Sequence, residues 1–370
     1  MTVFLLILGL ILFVALVVVH EYGHFIMARR SGVKVEEFGI GFPPKAMELK
    51  KSKGTVYTLN WLPLGGFVRL KGEHDADKEP HSFGAATLPQ KIKIMMAGVA
   101  MNLLTAFVLL AIVAAVGMPK LIEGQFTVSS DTKVLSQKLL VGYLEPGSPA
   151  EKSGLQSRDE LKYINDQPVG DPDKFPEITK QYAGQSVKIG YVRDGQTFAT
   201  QTQLRSDQEV ETSKKTNETK GYLGISPAEY TLRRSTWSAP IVAGGLIKQF
   251  TELTFKGLGS AVANVFRGEG NKASEQVSGP VGIFFILKQG SLMGYQFILL
   301  IIAIISLTLA IMNVLPIPAL DGGRLFVTLL YRAIRKPLTP RAEDLIHGTG
   351  FAALMLLFVL ITVVDVKRFF

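Results

Sequence analysis

Two histidines four residues apart with a glutamate beside the first, in His20-Glu21-Tyr22-Gly23-His24, are the residues of this chain best placed to do chemistry. On a helix, positions i and i+4 lie one above the other, so both imidazoles reach one tetrahedral metal ion. Glu21 then stands beside the metal as a free carboxylate, the base of a metal-dependent hydrolase. The chain has no cysteine, which excludes disulfides and thiolate ligands and leaves His, Asp or Glu to hold Zn²⁺, the ion such ligands favour. The bland alternative is that these polar groups only mark the end of an apolar helix. Against it, the motif uses two of just five histidines, and ionisable groups at membrane depth are costly enough to be functional by default.

The element that carries the motif is an unbroken apolar run from Val3 to Val19, continuing through Phe25, Ile26 and Met27. It lacks a basic leader and a small-residue exit, and reads as a retained membrane span rather than a cleaved signal. Further spans are expected at Ile94 to Val116, Leu292 to Met312 and Gly348 to Val364. The fold class is therefore a multi-span α-helical membrane protein with four transmembrane helices. Residues 29–93 carry twelve Lys and Arg against seven acids, and the connection after the third span carries Arg324, Arg332, Arg335, Lys336 and Arg341. Both loops are expected to face the cytoplasm, which puts the metal motif toward that side and both termini with residues 118–290 outside. The net charge of +9 is spread over short loops flanking apolar segments, so it argues for membrane topology and not for a nucleic-acid partner.

Three inserted regions complete the expected organisation. Between Val35 and Leu70, alternation and glycine-proline turns predict a β element that re-enters the membrane beside the metal, with a soluble hairpin as the alternative. Residues 125–228 read as an α/β PDZ domain, from Val141 through Ser148-Pro149-Ala150 to Asn165-Asp166, with a hairpin about Arg193-Asp194-Gly195. Gly221-Tyr222-Leu223-Gly224-Ile225 resembles a loop that captures a peptide carboxylate. Arg205 to Lys220 is expected to be a mobile loop without core residues, and the glycosylation-like Asn217-Glu218-Thr219 within it is set aside. Lys248, Glu252 and Lys256, spaced by four and opposite Phe250 and Leu253, make Trp237 to Phe266, within a 236–290 region, an amphipathic helix lying on the outer membrane surface.

A catalytic zinc needs a third ligand and an open position. At the end of the third span the chain reads Asn313-Val314-Leu315-Pro316-Ile317-Pro318-Ala319-Leu320-Asp321-Gly322-Gly323. The two prolines break the helix, and topology brings Asp321 to the side of the bilayer that holds His20 and His24, so Asp321 is the expected third ligand. Glu36, Glu37, His74 and His81 lie on the same side, but no spacing selects them.

His-Glu-x-x-His at the end of span one, a PDZ-like insertion, and Asn-x-x-Pro-x-Pro-x-Leu-Asp-Gly-Gly at span three together resemble the site-2 protease family of intramembrane zinc metalloproteases, in its bacterial RseP/RasP branch. Gly65-Gly66-Phe67-Val68, Ala97-Gly98 with Asn102, and Ser278-Gly279-Pro280-Val281-Gly282-Ile283 extend the likeness over nearly the whole chain. Val99 replaces a proline usual in the second span, and one PDZ domain stands where some relatives carry two. The spans, loops and inserted regions read from the sequence give a domain order of 1–30, 31–91, 92–117, 125–228, 236–290, 291–323, 324–347 and 348–370. The resemblance implies peptide hydrolysis inside the membrane, with Glu21 catalytic and zinc on His20, His24 and Asp321. Asn313, otherwise a helix-end cap, and Gly65, Gly66, Phe67, Val68 and Arg69 would contact substrate. It further implies pre-trimmed single-span substrates such as anti-sigma factors and remnant signal peptides, C-terminal peptides at the PDZ domain, and a home in the bacterial cytoplasmic membrane. A silent membrane scaffold and a metal transporter are the rivals. The transporter would need polar residues along several spans, whereas spans one, two and four are apolar apart from Asn102.

Overall fold

The computed structural model describes residues 2–193, 195–215, 220–270, 272 and 277–370; the Asn217-Glu218-Thr219 pattern and Asp194 of the predicted hairpin turn lie outside them. The described elements in chain order are α1 (Thr2–Arg30), β1 (Val35–Ser52), β2 (Thr55–Leu70), α2 (Leu88–Val116), β3 (Met118–Pro119), β4 (Lys133–Leu144), α3 (Pro149–Lys152), β5 (Glu160–Ile164), β6 (Gln167–Pro168), α4 (Phe175–Gln181), β7 (Ser186–Arg193), β8 (Gln196–Gln203), α5 (Asp207–Lys215), β9 (Ile225–Arg234), α6 (Ala239–Phe266), α7 (Pro280–Met293), α8 (Tyr295–Val314), α9 (Asp321–Ala333) and α10 (Pro340–Phe369). They form two units, one of residues 1–116, 126–128 and 237–370, the other of 117–125 and 129–236.

In the first unit α1, α2, α8 and α10 are long and apolar enough to cross a membrane. The helix of the second span starts six residues before the predicted Ile94, where Gln90 Oε1 accepts from both the backbone amide and the hydroxyl of Thr87 at 2.8 Å and so ties down the first turn. The third begins at Tyr295 rather than Leu292. Gly294, at φ +110°, separates α8 from α7, a 14-residue apolar helix that uniform hydrophobicity hides in the sequence. The N-terminus of α7 is capped from another helix. The buried Asp365 of α10 accepts from the amides of Gly279 at 2.8 Å and Gly282 at 2.7 Å, and a Cβ at either glycine would crowd its carboxylate. The helix expected over Trp237 to Phe266 is α6, and α7 occupies the end of the 236–290 region. On α6, Lys248, Glu252 and Lys256 are exposed as their spacing predicts, while Val242, Ala243, Leu246 and Phe250 are buried where α6 packs on α2 and α8. Leu253, grouped with Phe250 by the pattern, is exposed.

β1 and β2 pair twice over. Residues 37–40 lie against 66–69 on one side and 56–59 on the other, while 45–52 run back along 55–60, so the hairpin is folded on itself. Thr55, Thr58 and Asn60 are buried and tie the fold with side-chain bonds to Val35, Glu37 and Gly41. Phe25 and Ala28 of α1, Phe38 and Leu70 of the sheet, and Ile94 and Met95 of α2 share one apolar cluster, which fixes the 66–70 segment beside the second half of α1.

The second unit is a sheet in the order β3-β9-β4-β5-β7-β8 with β6 on β5, closed over Leu139, Val141, Leu161, Ile164, Val187 and Ile189. It is longer than the predicted 125–228, because β9 runs to Arg234 along β4 and Met118–Pro119 join its far edge. Over residues 207–215 the predicted mobile loop is corrected. Ser206 and Glu209 form a capping box, with Glu209 accepting from the Ser206 amide at 2.7 Å, and α5 follows with Val210 buried.

Candidate metal centre

The α1 register puts His20 and His24 on one face, with their Nε2 atoms 3.2 Å apart. Asp321 closes the triangle: its Oδ2 lies 3.1 Å from His20 Nε2 and 3.2 Å from His24 Nε2. Three donor atoms thus lie within 4.8 Å of one another, the only such group among the described residues. Asp321 Oδ2 is buried and has no hydrogen-bond partner. An orphaned carboxylate oxygen facing two imidazole nitrogens is the donor set of a divalent ion such as zinc, and the residues fit that group. Asp321 reaches the point because α8 ends at Val314 and the Pro316-Pro318 stretch turns through Ala319, at φ +77°, into α9. Gly322 and Gly323 pack so closely on the carbonyls of Val314 and Ile317 that any Cβ would overlap them.

The surroundings hold both rings. His24 Nδ1 is 2.7 Å from the Ile94 carbonyl, so the ring donates there and presents its Nε2 lone pair inward. His20 Nδ1 is 3.2 Å from the side-chain amide of Asn102, which is buried in α2, and the Ser306 hydroxyl of α8 donates to the Asn102 backbone carbonyl at 2.8 Å. Gly98, one turn before Asn102, faces the rings: a Cβ there would sit 2.6 Å from His20 Cε1 and overlap His24 Nε2. Gly23 meets the Ala97 carbonyl in the same way, letting α1 and α2 approach at the centre. Gly98 and Asn102 belonged to a pattern without an assigned part; their i, i+4 spacing on an apolar helix is the signal that they share a face.

Glu21 borders a cavity of about 130 Å³ with His24, Val68, Glu73, Asp321 and Arg324. A Cβ on Gly66 would be 3.2 Å from Glu21 Cγ. Of the other predicted contacts, Gly65 packs on the Phe42 ring, Phe67 covers Gly39, and Arg69 pairs with Glu37 at 2.9 Å and Glu36 at 3.7 Å, so these three engage the sheet itself. Asn313 is half-buried in the last turn of α8 and does not line this cavity. None of the alternative ligands joins the cluster: His74 pairs with Asp344 at 2.9 Å and His81 with the Gly32 carbonyl at 3.0 Å, while Glu36 and Glu37 hold Arg69.

Membrane-length helices gathered around a His-His-Asp triangle define a membrane-integral metalloenzyme. The profile of peptidase family M50 matches residues 8–357. A Clostridium perfringens protein is 33% identical over 98% of both chains. Zinc metalloprotease RasP of Shouchella clausii is 29% identical over 97% of this chain and 98% of its own, and the probable protease eep of Enterococcus faecalis 27% over 98% of each. This chain belongs to peptidase family M50. It is a zinc metalloprotease of the site-2 protease type, and it resides in a membrane.

Proposed function

We propose that the chain hydrolyses peptide bonds within the transmembrane segments of single-span proteins already trimmed on their outer side. The observation that carries this reading is the convergence of His20, His24, Asp321 and Glu21 on one small cavity bordered by the 66–70 strand, between helices of membrane length. Zinc held by His20, His24 and Asp321 supplies Lewis acidity and makes water nucleophilic near neutral pH. Glu21, which borders the same cavity as His24 and Asp321, takes the proton of the attacking water and delivers it to the leaving amine. Asn102 and the Ile94 carbonyl hold the rings in register, and Gly98 leaves them room.

A transmembrane helix hides its amides in its own hydrogen bonds and must unwind before attack. Residues 66–69 pair with 37–40 along one edge, so the other edge, beside Glu21, offers backbone partners to an extended substrate. Asn313 orients the substrate backbone as it leaves that strand. The 117–236 unit, with Gly221 to Ile225 at its carboxylate-capture loop, acts as a PDZ filter on the outer face of a bacterial cytoplasmic membrane, and the metal centre lies toward the cytoplasm. The excess of basic residues in 29–93 supports this orientation. Anti-sigma factors and remnant signal peptides are the substrate classes that fit.

Co-expression with a tagged, externally trimmed single-span substrate tests the proposal. The native chain is expected to produce a gel shift, and Glu21→Gln to keep zinc and lose it. Equal cleavage by both would overturn the role given to Glu21.

A further inference from the structure

The last turn of α1 opens onto a cavity of about 370 Å³ that shares no wall residue with the one at Glu21. Three segments wall it: Arg29 and residues 32–35 from the end of α1, Lys53 and Thr55 from the turn between β1 and β2, and Lys71, Pro80 and His81 from the loop after β2. Backbone bonds lock these walls together. The Lys34 amide donates to the His81 carbonyl and the Lys71 amide to the Lys34 carbonyl, both at 2.9 Å, and His81 Nδ1 is held 3.0 Å from the Gly32 carbonyl.

The lining carries four cationic side chains, Arg29, Lys34, Lys53 and Lys71, and no carboxylate. Glu79 neutralises Lys71 from 3.0 Å. Arg29 lies 5.3 Å over the Phe25 ring and, like Lys34 and Lys53, has no carboxylate within salt-bridge distance among the described residues. Three like charges are thus held around one space, and no acid in the lining offsets their repulsion. Membrane topology accounts for an excess of basic residues in this loop wherever they point. It does not account for their convergence, since Lys45, Lys50 and Lys51 of the same loop stay exposed outside the cavity.

The cavity sits where a membrane-length helix ends, so the anion that reaches it comes from the boundary of the bilayer. One face of α1 leads there: the exposed Tyr22 ring stacks on Phe25 at 6.0 Å, and Phe25 carries the Arg29 guanidinium. An aromatic step from apolar depth to a cationic pocket fits an acyl chain and its phosphate together. We propose that Arg29, Lys34 and Lys53 bind the phosphate of an anionic phospholipid headgroup. Arg29 lies about 7.5 Å along the helix axis beyond His24 at 1.5 Å per residue, so a bound headgroup holds the metal-bearing end of α1 at a set depth. Only the choice of the cytoplasmic leaflet rests on the orientation proposed above.

The test is native mass spectrometry of the purified full chain in neutral detergent, titrated with phosphatidylglycerol or with phosphatidylcholine, whose choline cancels the phosphate charge. Phosphatidylglycerol is expected to bind about tenfold tighter, as one retained lipid. Arg29→Gln with Lys34→Gln should bring the two lipids to equal affinity with zinc content unchanged. Lys50→Gln with Lys51→Gln removes the same charge outside the cavity and should leave the preference intact. If the first pair loses zinc, Lys53→Gln alone decides, with a loss of about threefold expected. Equal losses in the two pairs would mean diffuse attraction and would overturn the site. Equal binding of both lipids by the native chain would also overturn it, and inorganic phosphate retained by that chain but not by the Arg29 and Lys34 pair would then make this a free-phosphate site. Displacement of phosphatidylglycerol by an acidic octapeptide but not by a second anionic lipid would mark a protein-docking surface instead.

Discussion

The metal-centre unit and the 117–236 unit solve opposite problems with polar residues. In the second, the sheet closes over an apolar cluster, and its buried charge is paired in full: Asp159 takes two 2.7 Å bonds from Arg193 and a third from the Gln156 amide. In the first, His20 and Asp321 are drawn together at the centre, and Asp321 Oδ2 is buried without a hydrogen-bond partner while both Nε2 atoms face it. Asp159 completes its hydrogen bonds within the fold, whereas Asp321 keeps an oxygen facing two imidazole nitrogens, as a ligand to a metal must.

The difference can be pushed hardest at Gly98. Gly98→Ala puts a methyl group where the two rings meet and is expected to abolish stoichiometric zinc while the helices still form; metal analysis beside circular dichroism checks this, and a fully zinc-loaded alanine variant would refute the packing argument. Asp159→Asn, in the other unit, removes the buried carboxylate charge that takes two bonds from Arg193 and should cost about 1–3 kcal/mol of local stability without touching zinc content. Hydrogen exchange of β5 and β7 in the full chain is the readout, and zinc loss there would show that the two units are not independent in this respect. Asn102→Ala should weaken zinc affinity by about 10–100-fold, as removal of a partner to a ligating histidine does. Competition with a chelating dye measures it, and unchanged affinity would reduce Asn102 to packing.

The smallest effect is expected at His74. Its bond to Asp344 raises its pKa above the ordinary histidine value, with partial burial opposing. A group raised in the folded state stabilises fully below its unfolded pKa of about 6.5 and loses that contribution as pH rises through the folded value. The tie between the loop at 73–77 and α10 should therefore loosen on going from pH 6 to pH 8, and His74→Gln should flatten the change, read as proteolytic nicking of that loop. Equal nicking across this range would sink the assignment.

What could be read in advance followed the range of the physics involved. The i, i+4 pair His20 and His24 is local, because helical geometry alone superposes the rings, and the apolar runs of α1, α2, α8 and α10 declare themselves by length. Asp321 required one more step, the sidedness of the membrane. Gly98 and Asn102 were visible as a pattern but not as a wall of the centre, since nothing in α2 says which helix its small and polar face will meet. The helix α7 was hidden by uniform apolarity, and Asp365, 83 residues from the Gly282 amide it caps, could not be assigned from local pattern. Only α5 was missed where the sequence did speak, through Ser206 and Glu209.

The sequence by itself determined the chemistry: a His-Glu-x-x-His helix end, a proline-broken Asp-Gly-Gly turn, no thiols, and membrane-length helices to carry them. Tertiary structure alone decided that Asp321 Oδ2 stands 3.1 and 3.2 Å from the two Nε2 atoms, that Gly98 leaves them space, and that Arg29, Lys34 and Lys53 surround one cavity. The reason is one of distance along the chain. Residue type and helical period act within a turn or two, while a metal centre is made where segments some 300 residues apart are packed to within tenths of an ångström, and that packing is a property of the whole bundle.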